Sequence, residues 1–150
     1  MGLLKKIDLL ELKENDVIWI CSSRYEVLNR IRYTEKGGYW VEYKLKDEQG
    51  KAFYLNVEEE LKILLYEVLE IRSIELEMKI VYNNCEYELF EKGNGTVDTY
   101  SGITDVALGD KVEYYEYTNV KDKKEVLSIE KWKHETEISL GHVVESKYIK

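Results

Sequence analysis

The 150-residue chain has no proline, and only two residues each of cysteine, histidine, phenylalanine and methionine. Without proline there is no proline-rich linker or recognition segment. The four soft metal ligands are Cys21, Cys85, His134 and His142, and none of them shows a C-x-x-C or H-x-x-x-H spacing, so no metal site is expected. Two histidines, both near the C-terminus, cannot be assembled from the sequence into a nucleophile–base pair, and no catalytic residues are assigned. Gly93-Asn94-Gly95 looks superficially like a phosphate loop, yet no helix opening with Lys-Ser/Thr follows it. No cofactor is expected.

Long apolar runs and basic stripes are also missing. No run approaches the roughly 20 residues that span a bilayer. Met1–Leu12, MGLLKKIDLLEL, has no apolar stretch of signal-peptide length after its two lysines, and it lacks the Ser or Thr of a myristoylation signal at the sixth position. Together with the low cysteine count, this leads to the expectation of a cytoplasmic protein without direct membrane insertion. The formal net charge is −8. The densest basic stretches, Lys121–Lys124 and Lys131–Lys133, are broken by Asp122 and Trp132. Phosphate neutralisation needs more than this, so no nucleic-acid partner is expected.

What is present in quantity is tyrosine, thirteen residues with three tryptophans, a strand-rich aromatic profile. The sequence also aligns with itself. Residues 16–29, DVIWICSSRYEVLN, match 78–91, MKIVYNNCEYELFE, at an offset of 62. Residues 42–58 match 114–130 at an offset of 72, placing Tyr43 on Tyr115, Leu55 on Leu127 and Glu58 on Glu130. Residues 61–69 match 136–144 at an offset of 75. The order of blocks is kept, and the growing offset assigns the excess to loops around Gly93–Asp105 and Lys133–Glu135. Cys21 and Cys85 fall at equivalent turns, where a disulfide would need an oxidised sample.

Each block alternates as half-buried strands do. Tyr39, Val41, Tyr43 and Leu45 face one way while Trp40, Glu42, Lys44 and Lys46 face the other. Asp47-Glu48-Gln49-Gly50 supplies a hairpin turn. The pattern predicts strands near 16–21, 24–33, 38–46, 52–58 and 61–67, then 78–82, 86–92, 111–118, 125–131 and 136–144. The fold class is therefore all-β: one compact unit of two pseudo-symmetric repeats, 16–69 and 78–144, each of about five antiparallel strands forming a barrel or sandwich. The N-terminal segment 1–15 carries a short helix over 2–10, from the helical spacing of Leu3, Ile7 and Leu10, and 70–77 is a connector. A helix over 61–76 is the alternative to the fifth strand.

The run Tyr39-Trp40-Val41-Glu42-Tyr43-Lys44-Leu45-Lys46-Asp47, then Gly50, then Tyr54-Leu55-Asn56-Val57-Glu58, resembles the bacterial domain-of-unknown-function family 4178, which shows W-x-E-Y-x-L-x-D, a glycine and W-L-x-V-E. Gly109-Asp110-Lys111-Val112, Leu127-Ser128-Ile129-Glu130-Lys131-Trp132 and Ser139-Leu140-Gly141 agree with it. Tyr54 stands where the family often has Trp, and Asn15 where the first turn often has Gly. The resemblance implies a small, non-secreted bacterial protein, with a membrane-stress pathway as its context.

Function is read as a non-catalytic module that binds an unidentified protein partner, its oligomeric state open. The binding candidates are Trp40, Glu58, Glu130 and Trp132. Trp40 shares a face with charged residues and is either an exposed anchor for a partner or a ring covering the open end of a sheet, the second reading being favoured. Glu58 and Glu130 each end a strand before a turn, where a carboxylate could accept turn N–H groups. The alternative is a ligand-binding or hydrolytic protein using a cleft between the repeats, which pseudo-twofold symmetry would line with those two glutamates. A cleft of several hundred Å³ with convergent carboxylates would favour it.

Overall fold

The computed structural model describes residues 8–60, 62–71 and 73–150, and among these it is all-β. The strands are β1 (Val17–Ile20), β2 (Ser23–Glu35), β3 (Gly38–Asp47), β4 (Ala52–Glu58), β5 (Ile63–Val68), β6 (Lys79–Tyr82), β7 (Cys85–Gly102), β8 (Lys111–Asn119), β9 (Glu125–Lys131) and β10 (Thr136–Val143). They form one antiparallel sheet in the order β1-β2-β3-β4-β5-β10-β9-β8-β7-β6, and β2 also pairs with β7. That pairing closes eight strands, β2–β5 and β7–β10, into a barrel, with β1 and β6 outside the closed ring. Closure removes the edges of those eight strands. The stretch after Ile63 is strand rather than helix.

The two hairpins that begin each set share their registers. Ile18 lies opposite Tyr25, and Ile80 opposite Tyr87. Both turns are two residues long, Cys21-Ser22 and Asn83-Asn84, with all four residues at positive φ, the geometry that matches strand twist. The β2–β3 ladder skips Leu28 and the β7–β8 ladder skips Phe90. Each is a bulge that bends its strand.

The fourth and fifth strands differ from the sequence alignment. Tyr43 faces Leu55 across β3–β4, whereas Tyr115 faces Ile129 across β8–β9. The turn 119–125 is two residues longer than 47–51, so with Tyr43 set on Tyr115 the ladders put Leu127 on Phe53 and Glu130 on Asn56. Glu58 and Glu130 are therefore not at corresponding positions. The similar tripeptides Leu-Asn-Val and Leu-Ser-Ile had drawn the alignment two residues out of register, a shift that preserves side-chain facing and so leaves no trace in the hydrophobic pattern.

The expected loop at 93–105 is also corrected. Residues 93–102 continue β7, with Tyr33 opposite Val97 and Asn29 opposite Gly102, and only 103–110 leave the sheet. Thr96, Val97, Thr99 and Tyr100 are strand formers, and the flanking glycines had masked them. This extension is what closes the barrel.

The N-terminal helix expected over 2–10 lies mostly outside the described residues. Asp8–Glu11 forms a hydrogen-bonded turn, with Glu11 N–H donating to the Asp8 carbonyl at 3.1 Å.

The two larger apolar cores lie on the outside of the barrel, while two smaller clusters, one of Ile31, Tyr33, Val97 and Val112 and one of Leu64, Tyr66 and Val126, pack on its inner face. Val27, Val41, Tyr43, Leu45, Leu55, Val57, Ile63 and Leu65 form one core under Leu9, Leu12, Ile18, Ile20, Val144 and Ile149. A second core joins Ile80, Tyr87, Tyr117, Leu127, Ile129 and Ile138, covered by Leu69, Ile71, Ile74 and Leu76 of the connector. The sheet is thus coated on its convex side, and each buried aliphatic side chain contributes about 1.5–3 kcal/mol.

Candidate functional site

Because residues i and i+2 share a face, packing one face outward turns the other into the lumen. Trp40, Glu42 and Lys44 of β3 point inward, and so do Tyr54, Asn56 and Glu58 of β4. From the second set come Tyr114 and Glu116 of β8, Ser128 and Glu130 of β9, and Glu137 and Ser139 of β10. Around them lie two adjoining cavities of about 460 and 1020 Å³, opening at opposite ends of the barrel. Both are lined by Glu42, Tyr54, Glu130 and Glu137, which therefore sit where they meet.

Glycines set the width of the lumen. A Cβ at Gly95 would overlap the Trp40 ring, one at Gly93 would meet Tyr114 and Glu35, and one at Gly141 would meet the Tyr66 ring lying opposite it on β5. Gly93-Asn94-Gly95 is thus a strip of strand kept bare so that aromatic rings can cross it. Trp40 stacks on Tyr33 with centroids 5.0 Å apart and meets Tyr114 edge-on at 5.5 Å. Trp132 completes the group, 6.1 Å from Tyr33. These rings fill the side of the lumen beside the β2–β7 seam.

Among the carboxyl groups on the rest of the wall, five are pushed above their ordinary range. Glu130 and Glu137 face each other across β9–β10, and Glu42 lies opposite Asn56 on β4. They line a cavity and so remain partly accessible to water, yet protein surrounds them. Burial, reinforced by Glu137, pushes Glu130 up to about 8, while the Trp132 side chain, as a hydrogen-bond partner, pulls the other way. Burial raises Glu42 well above its ordinary value, with Glu130 and Glu137 adding to it. Glu137 is raised by burial and Glu135, and opposed by Lys44. A second group lies toward the mouth formed by the β2–β3 and β4–β5 turns. There burial pushes Glu116 up to about 7, aided by Glu91 and opposed by Lys62, and burial also raises Glu58. Desolvation disfavours a lone carboxylate, and carboxylates sharing a site disfavour one another. The lumen therefore holds protons at neutral pH. The Asn56 Oδ1, on the same wall, has no hydrogen-bond partner.

The four residues singled out from the sequence all reach this interior. Trp40 and Glu58 line the smaller cavity, Trp132 the larger, and Glu130 both. Trp40 is not an exposed anchor; it is half-buried inside the barrel. The expected turn contacts of Glu58 and Glu130 are absent from the side-chain hydrogen bonds of the described residues. At the β4–β5 turn it is Glu59 that accepts, from Tyr39 N–H at 3.3 Å. A polar face that curls inward gives these carboxylates one another as neighbours instead of turn amides.

Glu42, Glu116, Glu137, Tyr54, Tyr66 and Tyr114 were missed, although the alternation had already placed Glu42 on the face of Trp40. Among the described residues no three His, Cys, Asp or Glu side chains are arranged to hold a metal ion. Cys21 and Cys85 are free, and His134 and His142 are exposed.

The model of Domain of unknown function (DUF4178) matches residues 13–146, which include every residue of the lumen. The chain belongs to this family. A search of curated proteins and one of solved structures return no match. No helix among the described residues of this DUF4178 protein is long and apolar enough to cross a membrane.

Proposed function

We propose that this protein binds a small organic cation, an amine or polyamine, in the lumen between two diverged copies of a five-strand unit. The observation that carries the reading is the smaller cavity, about 460 Å³, lined by Glu42, Glu58, Glu116, Glu130 and Glu137 together with the rings of Trp40, Tyr54, Tyr66 and Tyr114. A cavity of that volume suits a small molecule. Carboxylates compensate a desolvated ammonium, and aromatic faces add cation–π attraction. The carboxyls are spread along the wall, which suits an extended or bulky cation better than a point charge.

The duplication has support in the paired bulges and turns. The closing seams agree with it too: Thr34 lies opposite Thr96, its partner at the offset of 62. Leu9 and Leu12 likewise correspond at that offset to Ile71 and Ile74, and each pair covers its own core. A pseudo-twofold axis then runs through the lumen, and the ligand would contact both copies.

Binding a cation releases protons from Glu130 and its neighbours, so affinity should rise from pH 6.5 toward 8 and level off beyond. Calorimetry with spermidine, and with putrescine and tetramethylammonium as shorter and bulkier probes, tests this. One site per chain is expected, weakened at least tenfold by the double substitution Glu130→Gln and Glu137→Gln, and unchanged by Glu48→Gln on an exposed turn. The absence of binding by all three probes at pH 8, or binding indifferent to the double substitution, rejects the reading.

A further inference from the structure

The two outer strands β1 and β6 occupy corresponding places, yet only one has both sides satisfied. β1 pairs with β2 on one side, and on the other with the chain's own C-terminal tail. Trp19 N–H donates to the Lys150 carbonyl and Lys150 N–H to the Trp19 carbonyl, each at 2.9 Å, while Cys21 N–H donates to the Tyr148 carbonyl at 3.0 Å. Ile149 tucks into the core beneath. Among the described residues β6 pairs with β7 alone and ends the sheet. By register Val81 corresponds to Trp19, and it is 74% exposed; Met78, just before the strand, is 70% exposed. The connector explains the difference. In the first set the N-terminal segment covers the core and the tail caps the strand, whereas Leu69, Ile71, Ile74 and Leu76 of the connector cover the second core. Nothing among the described residues takes the tail's place.

We propose that the free edge of β6, Lys79–Tyr82, receives a short extended peptide from a partner protein, one with apolar residues flanked by lysines as in this chain's own tail, Lys147-Tyr148-Ile149-Lys150. Strand addition of this kind uses main-chain hydrogen bonds for affinity and alternate side chains for selectivity. Two observations choose the occupant. Glu75 and Glu77 are exposed just before the strand, and the chain carries a net charge of −8, so a basic peptide is attracted and an acidic one repelled. A four-residue edge is about 13 Å long. Pairing it with a second copy would bury far less than the ~1,200 Å² of a stable interface, whereas a linear peptide needs no more.

The probe is a labelled synthetic peptide with the sequence of residues 145–150, ESKYIK, added to the full-length protein. Fluorescence anisotropy should give saturable binding that weakens as salt rises, and amide chemical-shift changes should centre on Lys79–Tyr82. Val81→Pro removes the outward N–H that corresponds to that of Trp19 and leaves the β6–β7 ladder intact, a place where an edge strand tolerates proline. It should weaken the peptide at least tenfold. The reciprocal probe leaves the protein untouched: a peptide N-methylated at the nitrogen corresponding to Lys150 should lose affinity to the same degree. Shifts confined to Trp19–Cys21, which would mean exchange with the chain's own tail, overturn the proposal. So does binding that neither proline nor N-methylation weakens, or no binding at millimolar peptide.

Discussion

The two faces of the barrel are made by alternate residues of the same strands, and on β3 and β9 they differ sharply in character. On β3, Val41, Tyr43 and Leu45 are fully buried in the outer core, while Trp40, Glu42 and Lys44 line the lumen. On β9, Leu127 and Ile129 face outward into packed aliphatic surface, and Ser128 and Glu130 face the cavity. A barrel with a dry centre would put its stability inside. Here the larger cores lie outside, under covering segments, and the interior combines two smaller apolar clusters with a wall that carries charge. The division teaches that stability and binding can be assigned to separate faces of one sheet, so that substitutions on one should leave the other largely intact.

The largest effect should come from the outer face. Leu55 has no exposed surface, and Leu55→Ala removes packing that the rigid sheet cannot close over, at a cost of about 2–5 kcal/mol. Ser128→Ala, inside the same barrel, should change stability by less than ~1 kcal/mol, since water in the cavity replaces what the hydroxyl contacts. Urea unfolding of both variants measures the contrast. Comparable losses would mean that the lumen is as tightly packed as the covering cores, and the division of labour would fail.

The second effect has the opposite sign. Glu130 holds its proton to about pH 8 in the fold, against roughly 4.3 in an unfolded chain. The folded state thus binds more protons between those limits. Stability from these groups is complete below about pH 4.3 and is lost as pH rises toward 8. Glu130→Gln keeps the shape, removes the charge and relieves Glu42 as well. It should stabilise the protein at pH 8 by up to about 4 kcal/mol, and do little at pH 5. Thermal unfolding at the two pH values gives the answer; destabilisation at pH 8 would show that the carboxylate is a structural anchor.

Much of this was legible in the sequence. The ten strands appear where alternation put them, and the paired turns at Cys21-Ser22 and Asn83-Asn84 were visible as polar, flexible dipeptides. Facing was also legible, since Tyr43 and Leu45 were set against Trp40 and Glu42. Period-2 patterning gives no direction, however, and it assigned the charged face to solvent when the sheet curls that face inward. Curvature follows from pairings between distant strands, β2 with β7 and β5 with β10, which no local pattern records. The same blindness hid the strand in 93–102, because glycines that make room for Trp40 and Tyr114 resemble glycines that make a loop. It also hid the two-residue difference between the β3–β4 and β8–β9 turns.

The finest comparison is between the two covers, each fastened by one buried tyrosine. The Tyr43 hydroxyl donates to the Leu9 carbonyl at 2.6 Å and accepts from Leu12 N–H at 3.2 Å, both buried. The Tyr117 hydroxyl donates only to the Glu77 carbonyl, at 2.8 Å, in a partly buried place. Phenylalanine at position 43 preserves the ring but strands a carbonyl and an N–H without water, which should cost about 2–3 kcal/mol. At position 117 it frees one carbonyl that water can reach, for about 1 kcal/mol. Amide hydrogen exchange locates the effect. Tyr43→Phe should accelerate exchange at Leu12 and over Val17–Ile20, and Tyr117→Phe should act on residues 74–80 and leave the first cover unchanged. Equal losses in the two variants, or exchange that quickens in both covers at once, would mean that the halves unfold as one body and that the tyrosines do not fasten separate covers.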